Sequence, residues 1–75
     1  MSAWIITRLG SVLREEREAA GYSQRALAKA AGSSCAMISL VETGKRTPSL
    51  ELLAEIAPVL GMPVWELIWR AEVGS

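Results

Sequence analysis

Four glycines divide this 75-residue chain into five short segments, and their spacing constrains its fold more than any other feature. Each segment is long enough for a helix, and none keeps the alternation of apolar and polar residues expected of a half-buried strand. Gly21, Gly32, Gly44 and Gly61 stand where helices would end, because glycine is favoured just past a helix C-terminus. The sequence therefore predicts an all-α chain.

The apolar spacing and the serines give approximate bounds for these helices. We expect helices over residues 5–20, 24–31, 35–43, 50–60 and 64–71. Ser23, Ser34 and Ser49 each precede a segment and are predicted to be N-caps, since a serine oxygen can accept a backbone N–H of the first turn. In the last four segments the predicted core residues are Leu27, Ala28, Ala31, Ile38, Val41, Leu52, Leu53, Ile56, Leu60, Val64, Leu67, Ile68 and Ala71.

The residue types argue against several kinds of function. The chain has no histidine and one cysteine, Cys35, so it offers neither a zinc-ligand set nor a Ser-His or Cys-His nucleophile pair. We therefore expect no enzyme activity, no metal and no cofactor. The chain also has no spare length for a ligand pocket or sensor domain, so no small-molecule ligand is expected.

No segment is expected to enter a membrane. The longest apolar run, residues 56–65, contains two prolines and a glycine and is shorter than the roughly 20 residues that span a bilayer. Arg8 interrupts the apolar start of the chain, which argues against a signal peptide. These features predict a cytoplasmic protein.

The formal net charge is zero, which by itself argues against a nucleic-acid binder. The charges are unevenly distributed, however. Residues 1–50 contain seven Lys or Arg and four Glu, giving +3, whereas residues 51–75 contain one Arg and four Glu, giving −3. The basic surplus therefore lies in the part of the chain that contains the second and third segments, and its distribution mildly favours DNA binding.

The second and third segments are two short helices joined by a tight turn at residues 31–34. This pattern predicts a helix-turn-helix over about residues 23–43, in which the second helix enters a DNA major groove and the first lies across the backbone. Small residues are required where the two helices cross, and Ala28, Ala31 and Gly32 supply them.

A longer series of residues extends this pattern to both sides of the helix-turn-helix: Leu13-Arg14, Arg17, Gly21-Tyr22-Ser23-Gln24, Leu27-Ala28, Ala31-Gly32, Ser34, Ile38-Ser39, Glu42-Thr43-Gly44-Lys45-Arg46-Thr47-Pro48-Ser49-Leu50 and Leu60-Gly61. Through these residues the sequence resembles, over roughly residues 9–68, the Cro/cI-like (XRE-type) helix-turn-helix family, which includes small phage repressors and restriction-modification controller proteins. The resemblance implies a compact five-helix lambda-repressor-like domain, here one domain over residues 1–75, that is usually dimeric on DNA.

The resemblance also implies roles for individual residues. Gln24 resembles the residue that contacts a DNA phosphate and braces the recognition helix, and Arg17 and Glu42 resemble a partly buried ion pair. Lys45 to Thr47 resemble a loop that contacts the DNA backbone. The full set of predicted phosphate-binding residues is Ser23, Gln24, Arg25, Ser34, Thr43, Lys45, Arg46 and Thr47.

The recognition helix departs from the usual pattern of base readers. Its predicted base-contacting residues are Cys35, Ala36, Ser39 and Leu40, and none is the Arg, Gln or Asn that reads bases by paired hydrogen bonds. Ala36 and Leu40 could contact thymine methyl groups, with further specificity from DNA shape. Alternatively, this surface docks a protein and no longer reads DNA.

The last helix is apolar on more than one face. Trp65 and Trp69, four residues apart, form a second stripe that the core cannot easily bury. We expect a two-fold homodimer through Trp65, Ile68 and Trp69 on the helix at about residues 64–72, with Trp4 nearby. The alternative is that both tryptophans fold back on the first or fourth helix.

Together these features predict a transcriptional regulator that binds double-stranded DNA as a homodimer on a pseudo-palindromic operator. The alternative is a protein-interaction module with a degenerate helix-turn-helix that no longer reads DNA sequence.

Overall fold

The computed structural model describes the backbone of residues 3–73 and the side chains of residues 8–73. Over that range the chain forms five helices and no strand: α1 Ala3–Ala19, α2 Gln24–Ala30, α3 Cys35–Glu42, α4 Leu50–Leu60 and α5 Val64–Val73. The predicted all-α five-helix fold is confirmed, and each observed helix end lies within two residues of its predicted position.

The three predicted serine N-caps are confirmed. The side-chain oxygens of Ser23, Ser34 and Ser49 each accept the backbone N–H three residues ahead, at 3.0 or 3.1 Å. Such a bond satisfies one of the four N–H groups that the first turn of a helix leaves without a helical partner. The starts of α2, α3 and α4 are thus fixed by local chemistry that is readable in the sequence.

Gly32 makes the turn of the helix-turn-helix. Its φ of 67° lies in the left-handed region, where a side chain is strained, and it reverses the chain directly after α2. The next residue, Ser33, then donates its backbone N–H to the Ala28 carbonyl at 2.8 Å. This bond closes the end of α2 and leaves Ser34 in place to begin α3.

The core draws residues from all five helices. The predicted core residues of α2 and α3 are buried, as are Leu53, Ile56, Leu67 and Ala71. Leu52, Leu60 and Val64 are half-buried and pack against this core. The prediction that Ile68 covers the core is wrong, because 38% of this residue is exposed.

α5 packs chiefly against α1, in the largest contact between any two helices of the described chain. The Arg8 Nε donates to the Ala71 carbonyl at 3.0 Å, and the Arg70 guanidinium forms an ion pair with Glu16. A hydrogen bond and an ion pair therefore hold α5 on the same helix that supports α3.

None of the helices within residues 3–73 is by itself long and apolar enough to cross a bilayer. The pair α4 and α5 reaches the required length and composition only when counted together, with a bend of 99° between them.

Candidate nucleic-acid interface

The helix α3 has one face in the core and one face in solvent. Ile38, Val41 and Glu42 are buried, which fixes the rotation of the helix about its axis. Of the four predicted base-contacting residues, Cys35, Ala36 and Leu40 are exposed and Ser39 is half-buried. The structure therefore brings all four together on the outer face of α3, where they form a short and largely apolar surface.

Most of the predicted phosphate-binding side chains are also exposed to solvent. Ser23, Arg25, Ser34, Thr43, Lys45, Arg46 and Thr47 are exposed, and Gln24 is half-buried. The Ser23 and Ser34 oxygens accept the N-cap bonds described above, and this leaves each hydroxyl hydrogen for another acceptor.

Thr43 differs from the other hydroxyl residues because its hydrogen already has acceptors. The Thr43 Oγ1 lies 2.9 Å from the Ser39 carbonyl and 3.2 Å from the Leu40 carbonyl, and it donates into the last turn of α3. A phosphate contact through this hydroxyl hydrogen would require the side chain to rotate away from the helix.

The loop after α3 folds back on the helix end. The backbone N–H groups of Lys45 and Arg46 both donate to the Leu40 carbonyl, at 3.0 and 3.1 Å, and Pro48 is buried. The side chains of Lys45 and Arg46 remain in solvent while their backbone is anchored. The positive charges of Lys45 and Arg46 therefore lie beside the end of α3, on a loop whose backbone is held by hydrogen bonds to α3.

An ion pair between Arg17 and Glu42 joins α1 to the end of α3. The Arg17 Nε and Nη2 donate to the two Glu42 oxygens at 2.7 and 3.2 Å, and the side chains are 9% and 2% exposed. The Arg17 Nη1 also donates to the Tyr22 carbonyl at 2.7 Å. The hydrogen bond with Glu42 raises the pKa of Arg17 above its ordinary value, so the guanidinium is charged at neutral pH.

Gln24 connects the start of α2 to the same carboxylate. Its Nε2 donates to a Glu42 oxygen at 3.0 Å, and the half-buried side chain lies at the first position of α2. Glu42 thus accepts hydrogen bonds from both Arg17 and Gln24. The end of α3 is braced by α1 and by α2 through one carboxylate.

Gly10 is a contact residue that the sequence analysis missed. It is buried within α1, and a Cβ added there would lie 2.3 Å from the Val41 carbonyl oxygen and 2.9 Å from that of Glu42. The backbones of α1 and α3 therefore approach too closely for a side chain. A glycine in a helix interior costs about 0.5–1 kcal/mol relative to alanine, and this cost was the only signal in the sequence.

An open cavity of about 290 Å³ lies between the turn before α3 and the start of α4. It places the predicted phosphate-binding residues Arg46 and Thr47 next to two serines that the sequence analysis did not assign to the site, Ser33 and Ser49. The rest of the lining is apolar. The complete set of lining residues is Ser33, Met37, Arg46, Thr47, Ser49 and Leu52.

The outward face of α5 carries a largely apolar stripe, with the exposed Glu72 on the same side, and the rest of the described chain leaves this stripe uncovered. Trp65 is 66% exposed, Trp69 is 55% exposed and Ile68 lies between them at 38%. Val73, four residues after Trp69, continues the stripe at 51% and was not predicted as part of it. The alternative in which the tryptophans fold back into the protein is not what the structure shows, while the side chain of Trp4 lies outside the described residues.

Among residues 8–73, no group of three or more His, Cys, Asp and Glu side chains is placed to hold a metal ion. Cys35 is an exposed free cysteine at the first position of α3.

Residues 8–67 match the family model of a helix-turn-helix domain. The chain is 41% identical over 64 residues to the HTH-type transcriptional regulator Rv0474 of Mycobacterium tuberculosis, which covers 85% of this chain and 46% of that protein. It is 36% identical over 58 residues to the HTH-type transcriptional regulator YazB of Bacillus subtilis, which covers 77% of this chain and 84% of that one. The chain thus spans less than half the length of its mycobacterial relative.

Two solved structures share the fold. The clp gene regulator ClgR from Corynebacterium glutamicum matches with a TM-score of 0.88 and 33% identity over 93% of this chain and 74% of that one. The restriction-modification controller protein C.AhdI from Aeromonas hydrophila matches with a TM-score of 0.80 and 35% identity over 83% of this chain and 94% of that one. With residues 8–67 matched by the family model and relatives of this similarity, the chain belongs to the XRE-type helix-turn-helix family of transcriptional regulators.

Proposed function

We propose that this protein is a transcriptional regulator that binds a pseudo-palindromic DNA operator as a homodimer. In this proposal the whole chain acts as one domain, with a helix-turn-helix at about residues 23–43 and a dimerisation helix at about residues 64–72. In this proposal it acts in the cytoplasm. The observation that carries the proposal is the exposed outer face of α3, together with the exposed cations and hydroxyls in the segments that adjoin α2 and α3.

The residues around α3 bind phosphates in this proposal and set the register of the protein on the duplex. Contacts to phosphates fix position, whereas contacts to base edges give sequence specificity. Lys45 and Arg46 supply charge from an anchored loop, and the serine hydroxyls donate from helix N-termini, which favour anions. The proposed phosphate contacts are Ser23, Gln24, Arg25, Ser34, Thr43, Lys45, Arg46 and Thr47.

The base-reading surface uses apolar contacts more than hydrogen bonds. Ala36 and Leu40 are exposed and suited to thymine methyl groups, while Ser39 offers a hydroxyl to a base edge. Cys35 lies at the start of the same face. Because no side chain here can make paired hydrogen bonds to one base, DNA shape contributes a large part of the specificity.

A second copy of the chain covers the apolar face of α5 in this proposal. The two tryptophans alone expose roughly 300 Å² per protomer, given the 150–250 Å² typical of a buried aromatic side chain. Burying that area on both protomers contributes roughly 15 kcal/mol per dimer, against an association cost of about 4–15 kcal/mol per dimer. A stable interface buries about 800 Å² per partner, which is more than the two tryptophans expose. Trp65, Ile68 and Trp69 therefore form the centre of the proposed interface, and neighbouring residues complete it.

Dimerisation compensates for the weak base readers on a single α3. Two recognition helices held about 34 Å apart can enter successive major grooves of a pseudo-palindrome, and their contributions to specificity combine. DNA occupancy then depends on the concentration of dimer.

The DNA-binding proposal is tested by selecting bound fragments from the native genome and measuring their affinity for single-charge variants. We expect Lys45→Ala and Arg46→Ala each to weaken binding. Arg14→Ala is the matched control, because it removes one exposed positive charge from α1, outside the proposed contacts. If fragments are selected but all three variants bind them as the wild type does, the proposed contacts of Lys45 and Arg46 are wrong. If no fragment is selected, the protein-docking alternative is favoured.

The dimer is tested by sedimentation equilibrium at micromolar protein. The wild type should be a dimer and Trp69→Glu a monomer, because the substitution places two carboxylates in one apolar interface. Ala54→Glu adds the same charge at an exposed position of α4 and should remain dimeric. A wild-type monomer whose mass is independent of concentration would refute the dimer.

A further inference from the structure

The backbones of α1 and α3 lie close together at Gly10. A Cβ at this position would lie 2.3 Å from the Val41 oxygen and 2.9 Å from the Glu42 oxygen, and both atoms belong to the backbone of the last turn of α3. Side chains can rotate away from a new methyl group, but a backbone carbonyl cannot move without the helix that carries it. A side chain at residue 10 must therefore displace the end of α3 from α1.

The same face of α1 holds α3 at a second point two turns further along. Arg17 follows Gly10 by seven residues and forms the buried ion pair with Glu42. The close contact at Gly10 limits how near α3 can lie, and the ion pair at Arg17 limits how far it can move away. Together these two contacts fix the position of the last turn of α3 on α1.

α1 also carries the proposed dimer helix. Arg8 and Arg70 join α1 to α5 through the Ala71 carbonyl and Glu16. Since α1 packs against both α5 and α3, one path from the apolar face of α5 to the outer face of α3 runs through α1 alone. A displacement of α3 on α1 changes the position of α3 relative to α5 and hence relative to a partner subunit.

We propose that Gly10 is a positioning residue for the recognition helix: its missing side chain sets the depth at which α3 sits on α1, and so the separation of the two recognition helices on DNA. Gly10 acts through α3 and touches no DNA itself. This inference rests on the proposed function, and its ligand is double-stranded DNA with two half-sites.

The test compares Gly10→Ala with the wild type on synthetic duplexes in which the wild-type half-sites are separated by a series of spacers. Alanine should lower the affinity for the wild-type spacing at least tenfold or move the preferred spacing by a base pair or more. Affinity for unrelated DNA should change less than twofold. If Gly10→Ala only reduced the folded fraction, the affinity for the wild-type spacing and the affinity for unrelated DNA would fall by the same factor. The ratio of these two affinities therefore reports the position of α3 and not the stability of the protein.

Ile56→Val is the matched control, because it weakens the buried core on α4 without altering the contact between α1 and α3. It should keep the wild-type spacing preference and affinity ratio. An unchanged ratio and spacing in Gly10→Ala would overturn the inference. So would a Gly10→Ala chain that stays unfolded even with trimethylamine N-oxide, since Gly10 would then serve folding alone.

The wild-type protein separates this inference from the proposed function. If the wild type retains no genomic fragment, the proposed function fails whatever the variant does. If the wild type binds and discriminates between spacings but Gly10→Ala behaves identically, the proposed function stands and only the role of Gly10 fails.

Discussion

Replacing either partner of the buried ion pair should remove much of the stability of this protein. The Arg17 and Glu42 side chains are 9% and 2% exposed, so deleting one leaves the other charge in the interior with little access to water. Breaking a buried pair in this way costs about 3–5 kcal/mol. A chain of this length has a total stability of roughly 4–11 kcal/mol, so Arg17→Met or Glu42→Met alone should lower Tm by 12 °C or more, at about 4–8 °C per kcal/mol.

The double variant Arg17→Met with Glu42→Met should recover most of this loss. It leaves no buried charge, and the groups that lose a partner, the Tyr22 carbonyl and the Gln24 amide, belong to half-buried residues that water can reach. We expect the double variant to lie within about 2 kcal/mol of the wild type. Since the two single variants together cost at least about 6 kcal/mol, the coupling energy should be about 4 kcal/mol or more.

Urea unfolding measures the free energies and thermal unfolding measures the Tm values, both followed by far-ultraviolet circular dichroism. The Trp69→Glu background is used, because association would otherwise add a concentration-dependent contribution to the stability. Arg14→Met is the surface control: its ion pair with Glu18 is 3.5 Å long with both side chains more than half exposed, and its loss should cost less than about 1 kcal/mol. Single variants that cost no more than this control, or a double variant that equals the sum of the singles, would refute the reasoning.

Three further predictions concern stability and use the same assay. Ser34→Ala should cost about 1 kcal/mol, because the Met37 N–H loses its N-cap acceptor. Leu67→Ala, which opens a fully buried site in α5, should cost about 2–5 kcal/mol, while Val73→Ala on the exposed face of the same helix should cost well under 1 kcal/mol in the monomeric background. The raised pKa of Arg17 implies that its contribution to stability is complete below the unfolded-state pKa and is lost only as pH rises through the folded value. The stability difference between the wild type and the double variant, which lacks both charges, should therefore stay constant from about pH 7 to about pH 10.

The helices were predictable because their ends are marked by local chemistry. Ser34 accepts an N–H only three residues away, and Gly61 takes its φ of 71° at the end of the helix that it terminates. Such signals need no knowledge of the rest of the fold. The resemblance to a known family then implied the pairing of Arg17 with Glu42, which are 25 residues apart and carry no local signal of contact.

The features that were missed depend on which helix faces which. Periodicity shows that α5 has two apolar stripes, but it cannot show which stripe the core accepts, and so Ile68 was assigned to both. Gly10 is unremarkable until the end of α3 is placed against it. The acceptor for Arg8 is the backbone carbonyl of Ala71. Every residue has such a carbonyl, so the sequence gives no sign of which one accepts the hydrogen bond. These contacts are set by tertiary packing, whereas the helix ends are set by neighbours in the chain.

The salt dependence of binding to a selected genomic fragment tests the central claim most directly. Three proposed cationic contacts per protomer, Arg25, Lys45 and Arg46, give six per dimer, and each phosphate neutralised contributes about −0.9 to the slope of log affinity against log salt concentration. We predict a slope of roughly −5, which is a loss of about a thousandfold in affinity between 50 and 200 mM salt. A slope near zero would contradict the assignment of α3 and its neighbouring loop to DNA.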